Sequence, residues 1–228
     1  MDASPGDVAK TLAHIAETIQ GPEHWVKWPG GWPGDIESAL VDAVFSARAV
    51  YDSERGRGIL AQVRRWQATR DRTVFSLQAL LSEIDPREPL VWAQRFGNQQ
   101  HSPGRRVTAP GGQSKAAAVR EAAAALTGIG ISVAADITTT NTAAVKAELC
   151  RIEGLGYATT NYFLVLLGAP GVKPDTMIHR FLKDAAGHAF TDPQAEATLD
   201  SVAHDLGVPA HELDHAIWAY ERERKASD

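Results

Sequence analysis

Two glycines one residue apart, Gly154 and Gly156, stand between one helical pattern and the next in the segment Leu149-Cys150-Arg151-Ile152-Glu153-Gly154-Leu155-Gly156-Tyr157. Such a pair lets a tight turn present bare backbone N–H groups at the start of the second helix, where the helix dipole also favours an anion. A phosphate suits that seat, and so does the plainer reading of a helix end followed by a loop. About twenty residues further on, Lys173-Pro174-Asp175-Thr176 places an aspartate at a helix start. Asp175 is then either an ordinary N-cap or a carboxylate held where a reaction builds positive charge. A third pattern, His211-Glu212-Leu213-Asp214-His215, spells H-E-x-x-H, which on a helix turns two imidazoles to one face for zinc with the glutamate as base. A catalytic zinc needs a third protein ligand. Only 13 residues follow His215, Trp218 stands where one common continuation needs glycine, and His204 and Glu221 lie at no recognised spacing. A zinc peptidase is the alternative this motif leaves open.

The elements that must position these groups read as helices. Val8, Leu12, Ile15 and Ile19 recur at helical spacing, as do Ile36, Leu40 and Val44; Ile59, Val63 and Trp66; and Val74, Leu77, Leu81 and Ile84. The same holds for Val145, Leu149 and Ile152; Ile178, Phe181 and Leu182; Leu199, Val202 and Leu206; and Leu213, Ile217 and Tyr220. The alanine-rich run over residues 116–126 adds another helix, because alanine loses no side-chain entropy there. Residues 131–134 are too few to found a sheet. Pro/Gly clusters punctuate the helices, and the loops over residues 21–34 and 97–113 exceed the usual helix connection of roughly 2–8 residues.

Composition narrows the function. With 228 residues, 44% of them hydrophobic, the chain is long enough to bury a core as one large domain or two intimate lobes. The net charge of -5 argues against a blanket attraction to polyanions, so any nucleic-acid contact must be local. Cys150, the single cysteine, cannot form an internal disulfide, a four-cysteine zinc site or an iron–sulfur cluster. No export signal and no membrane-spanning apolar run is visible, which predicts a cytoplasmic protein without a membrane partner.

The glycine pair gains meaning from the downstream segment Gly168-Ala169-Pro170-Gly171-Val172-Lys173-Pro174-Asp175-Thr176-Met177-Ile178-His179-Arg180. Over residues 143–182 the chain resembles the helix-hairpin-helix DNA glycosylase superfamily, which includes endonuclease III, and a weaker likeness reaches back over residues 36–50. In that family an apolar residue and Gly-x-Gly at a helical hairpin precede a Gly/Pro-rich loop and an aspartate that opens the next helix. The resemblance implies an all-α fold of two lobes, with DNA gripped across a cleft. Residues 35–172 would form the central lobe with the hairpin, and residues 1–34 plus 173–228 a second lobe from both chain ends. It implies base excision repair on double-stranded DNA holding a damaged or mismatched base, by a monomer without a cofactor, nucleoid-associated if bacterial.

Breaking an N-glycosidic bond builds positive charge on the sugar, and a fixed carboxylate stabilises that state and orients the attacking water. The resemblance gives this role to Asp175, and the phosphate seat to Gly154, Leu155, Gly156 and Tyr157. Relatives that also nick the strand carry a lysine two residues after the second hairpin glycine, where this chain has Ala158. The expectation is a monofunctional glycosylase leaving an abasic site. By the weaker likeness, Arg48 falls where relatives fill the gap left by the flipped nucleotide, and Asp42 lies one place from a glutamate acid of adenine-excising relatives. A catalytically inactive DNA-binding member of the same superfamily is the second reading.

Trp25, Trp28 and Trp32 lie close together in the N-terminal loop and would line a base pocket with Asp42, or else pin the loop to the core. An electron-rich cage of that kind favours a cationic alkylated base. Lys173 and Arg180 flank Asp175 as phosphate contacts. Further basic groups cluster at Arg55, Arg57, Arg64, Arg65, Arg70 and Arg72, at Arg95, His101, Arg105, Arg106 and Lys115, and at His179 and Lys183.

Overall fold

The computed structural model describes residues 3–51, 56–71, 73–96 and 113–227. Eleven α-helices and no strand occur among the described residues. The chain divides into two compact units, Gly31–Gly168 and the pair of segments Met1–Gly30 and Ala169–Asp228.

The middle unit holds α2 (Ile36–Ser46), α3 (Ile59–Ala68), α4 (Leu77–Glu83), α5 (Pro89–Ala93), α6 (Lys115–Gly128), α7 (Thr142–Cys150) and α8 (Tyr157–Leu166). Helix α2 packs against α3, α6 and α8, and all of its residues are buried. Burial on every side means that its polar residues must find partners inside the protein. Asp35 caps its start, accepting the Ser38 N–H at 2.9 Å and the Ser38 hydroxyl at 2.7 Å. Glu37 pairs with Arg70 and accepts the Ser76 N–H at 2.7 Å. At the far end, the buried ammonium of Lys115 donates to the carbonyls of Phe45 at 2.8 Å and Ala47 at 2.6 Å, satisfying groups that a helix end leaves open. An aromatic cluster of Phe45, Trp66, Trp92 and Phe96 fills the adjoining core, with Phe45 and Phe96 centroids 4.7 Å apart.

The other unit joins α1 (Pro5–Thr18) to α9 (Thr176–Ala186), α10 (Asp192–Leu206) and α11 (Ala210–Ser227). Val8 and Ile15 of α1 meet Ile178, Phe181 and Leu182 of α9, Leu199 and Val202 of α10, and Leu213 and Ile217 of α11 in one core. Each of those residues belongs to a helical stripe legible in the sequence. Helix α9 stops at Gly187, whose φ of 85° is open to glycine without a side-chain clash.

In three places the fold departs from what spacing and the resemblance imply. Val74 lies outside α4 and is 62% exposed, so the stripe of Leu77, Leu81 and Ile84 loses its first member. Helix α2 ends at Ser46 rather than running on through Ala49, which takes Arg48 out of the helix. Residues 31–34 join the middle unit and not the unit of the chain ends: the Trp32 N–H donates to the Leu166 carbonyl at 2.6 Å, and Gly31 packs so closely on that carbonyl that a Cβ would overlap it.

Candidate functional site

The hairpin joins α7 to α8 in the middle unit. The Ile152 N–H returns to Leu149 at 3.1 Å, and the Leu155 N–H to Ile152 at 3.0 Å. Between these turns Gly154 takes a φ of +89°, a conformation that costs other residues roughly 1–2 kcal/mol. Leu155 is buried and anchors the bend from beneath. Gly156 is exposed and serves as the N-cap of α8 without a side chain to accept the first-turn N–H groups. A Cβ built on Gly156 meets nothing within 4 Å, so the outer face of the turn is open. Tyr157 is half-buried, with the Lys146 ammonium 5.4 Å from its ring centre. Cys150 Sγ lies 3.6 Å from Thr160 Oγ1, one polar link between the two hairpin helices. Open donors at a dipole's positive end can take an anion.

Asp175 opens α9 in the unit of the chain ends. Its Oδ1 accepts the N–H groups of Met177 at 2.8 Å and Ile178 at 3.3 Å, so the capping role is real. Capping uses that one oxygen. Oδ2 takes no hydrogen bond among the described residues, and the residue is partly exposed. Beside it stands an acid that its sequence context does not single out, Asp214 on α11. Asp214 Oδ2 accepts the backbone N–H of Lys173 at 3.2 Å. Burial first, and then the charge of Asp175, push the Asp214 carboxyl up to about 8. A carboxyl with such a pKa is mostly neutral at pH 7.

The H-E-x-x-H segment thereby acquires structural partners. The His211 ring lies 4.7 Å from that of Trp28, Glu212 accepts the Trp28 N–H at 3.3 Å, and His215 stacks on Trp218 at 5.6 Å. No group of three or more His, Cys, Asp or Glu side chains is placed to hold a metal among the described residues. The zinc alternative therefore lacks a ligand set there.

The three tryptophans are not gathered into one unit. Trp25 packs partly buried on the core of α1, α9, α10 and α11, with its indole N–H on the Gln20 carbonyl at 3.3 Å. Trp28 is tied to α11, while Trp32 belongs to the middle unit. There Trp32 Nε1 donates to Asp42 Oδ2 at 2.8 Å, and the Tyr51 hydroxyl reaches the same oxygen at 3.2 Å. Asp42 is fully buried. Burial and then the Asp42 charge push the Tyr51 phenol up, which keeps it a donor to the carboxylate. Trp32 and Asp42 are a buried, hydrogen-bonded pair within the middle unit, and Trp25 and Trp28 belong to the unit of the chain ends.

Arg48 is exposed and has a φ of +54°, rare for a residue with a side chain. Lys173 is half-buried beside Asp175; its backbone N–H is bonded to Asp214, and its charge pulls that carboxyl down. Arg180 is paired with Glu221 and donates to the Glu221 carbonyl at 2.9 Å, linking α9 to α11, so its guanidinium has a protein partner already. Among the other cations, Arg70 and Lys115 are internal to the fold and His179 meets Asp192 at 2.8 Å, whereas Arg57, Arg64, Arg65 and Lys183 are exposed. Arg55, Arg72, His101, Arg105 and Arg106 lie outside the described residues.

The domain of unknown function DUF8548 matches residues 9–222, both units included. The chain belongs to the DUF8548 family. No curated protein and no solved structure matches it. In this DUF8548 chain the match takes in the hairpin, Asp175 and Asp214 alike.

Proposed function

We propose that the chain is a monofunctional DNA N-glycosylase of helix-hairpin-helix type, acting on a damaged or mismatched base in double-stranded DNA. The observation that carries this reading is the state of Asp175: one oxygen holds the helix start and the other stays open on a partly exposed residue. That is what a carboxylate needs in order to face a sugar without moving. Water adds to the sugar C1′, the base leaves with the bonding electron pair and a proton, and the Asp175 charge stabilises the cationic state between. The open space around Gly156 at the start of α8 supports the phosphate seat, and exposed Arg48 supports a side chain entering the gap in the stack. Ala158 in the first turn of α8 supplies no amine, so an abasic site is the product. A slight preference for alkylated bases rests on Trp25, Trp28 and Trp32, which belong to two units, and the panel of bases below decides it.

The test uses duplexes carrying 7-methylguanine, uracil opposite guanine, or 8-oxoguanine, scored for alkali-labile sites. Asp175→Asn should lower base release by on the order of 10²-fold or more while DNA binding persists. Borohydride should trap no protein–DNA adduct. Binding by the wild type without release from any duplex would make the chain a DNA-binding member of the superfamily instead.

A further inference from the structure

Asp175 and Asp214 belong to different helices of one unit, and the turn between them has a specific construction. The Asp175 N–H folds back on the Lys173 carbonyl at 2.6 Å, while the Lys173 N–H is held by Asp214 Oδ2 at 3.2 Å. Val172 and Pro174, on either side of Lys173, are buried. Asp214 thus grips the peptide two residues ahead of Asp175, and Asp175 is fixed from the other side by the first amides of α9. A hydrogen bond that sets the direction of the chain entering a cap sets the direction of the cap's side chain as well.

We propose that Asp214 is a positioning residue for Asp175, a carboxyl that grips the turn at Lys173 and so fixes the direction in which Asp175 enters α9. This rests on the glycosylase reading and adds to it a partner residue. The carboxyl of Asp214 is largely enclosed, although part of the residue's surface is open. The charged groups that bear on it are Asp175 at the start of α9 and Lys173 in the preceding loop; α10 supplies none among the described residues. The neighbouring Glu212 is directed to the Trp28 N–H, and His211 and His215 face the rings of Trp28 and Trp218. Burial and Asp175 outweigh the Lys173 amide and ammonium, which places the proton on Asp214 up to about pH 8. Above that, the two carboxylates repel, and the charge on Asp214 acts on the turn that aims Asp175.

Two measurements on the full chain test this. In carboxyl-carbon NMR with labelled aspartate, Asp214 should titrate near pH 8 and move downward in Asp175→Asn, which removes the neighbouring charge. In base release from the three lesion-bearing duplexes, the wild-type rate should fall as pH rises through about 8, and that fall should be missing in Asp214→Asn. The amide of Asp214→Asn still accepts the Lys173 N–H, whereas Asp214→Ala cannot. The alanine variant should therefore lose at least about tenfold in rate at pH 7, a loss that asparagine largely restores. An Asp214 titration in the ordinary carboxylate range, or one indifferent to Asp175→Asn, overturns the inference, as does a wild-type pH profile in Asp214→Asn. If the wild type releases no base from any duplex, the glycosylase reading fails and the positioning role with it, while the NMR shift still reports separately on the acid pair.

Discussion

Glu37 in the middle unit and Asp214 in the unit of the chain ends are both enclosed acids, and burial is the largest influence on each. The next influence has opposite sign. For Glu37 it is the Arg70 guanidinium, which pulls against burial and leaves the carboxyl at about 7. For Asp214 it is the charge of Asp175, which pushes further, to about 8. A buried acid given a cation is holding helices together, since Arg70 also reaches Glu83 and lies 4.2 Å over the Trp66 ring. A buried acid given a second acid gains no stability from its neighbour, and such arrangements concentrate where chemistry is done.

Removing the cation should have the largest effect. Arg70→Ala leaves Glu37 enclosed without its counter-charge and should cost about 3–5 kcal/mol in urea unfolding. A cost under about 1 kcal/mol would erase the distinction between the two acids. Asp214→Asn should act in the opposite direction and depend on pH. The folded state keeps a proton on Asp214 that the unfolded chain releases near the ordinary aspartate value of 3.8, so this group's contribution declines as pH rises from about 4 to about 8. Asparagine removes that decline, and thermal melting of the variant against the wild type should show the gap widening in the variant's favour toward pH 8. The smallest effects separate fold from contact within the hairpin. Gly154→Ala should cost roughly 1–2 kcal/mol through its φ of +89°. Gly156→Ala has open space for its methyl and should leave the melting temperature near that of the wild type while weakening DNA binding, as a fluorescence-anisotropy titration would show.

Apolar spacing exposes the helices of the chain-end unit because each has one buried stripe and one wet face. It is less informative for α2, where every residue is buried and a stripe is only a sample of the contacts. Five-residue α5 is invisible to it, being too short for periodicity to register. Asp175 is legible at the level of local sequence, since its cap involves residues two and three positions away. Asp214 is legible only as a letter in a zinc-like motif, because what defines it is the amide of Lys173, 41 positions earlier. The same separation explains Glu37 with Arg70, 33 apart. Nothing in a run of alanines and apolar residues announces the left-handed turn at Arg48, so spacing alone carries the helix through it.

The discontinuous unit imposes an order of events during synthesis. Lys10 on α1 reaches the carbonyl of Ala186, 176 positions onward, and among the described residues the buried core around the apolar stripe of α1 is supplied by Val172 and by α9, α10 and α11. While a ribosome is still making the middle segment, that stripe has nothing to cover it. The first helix therefore waits through the assembly of an entire neighbouring unit, and a nascent chain stalled before residue 169 would present it to chaperones as bare hydrophobic surface.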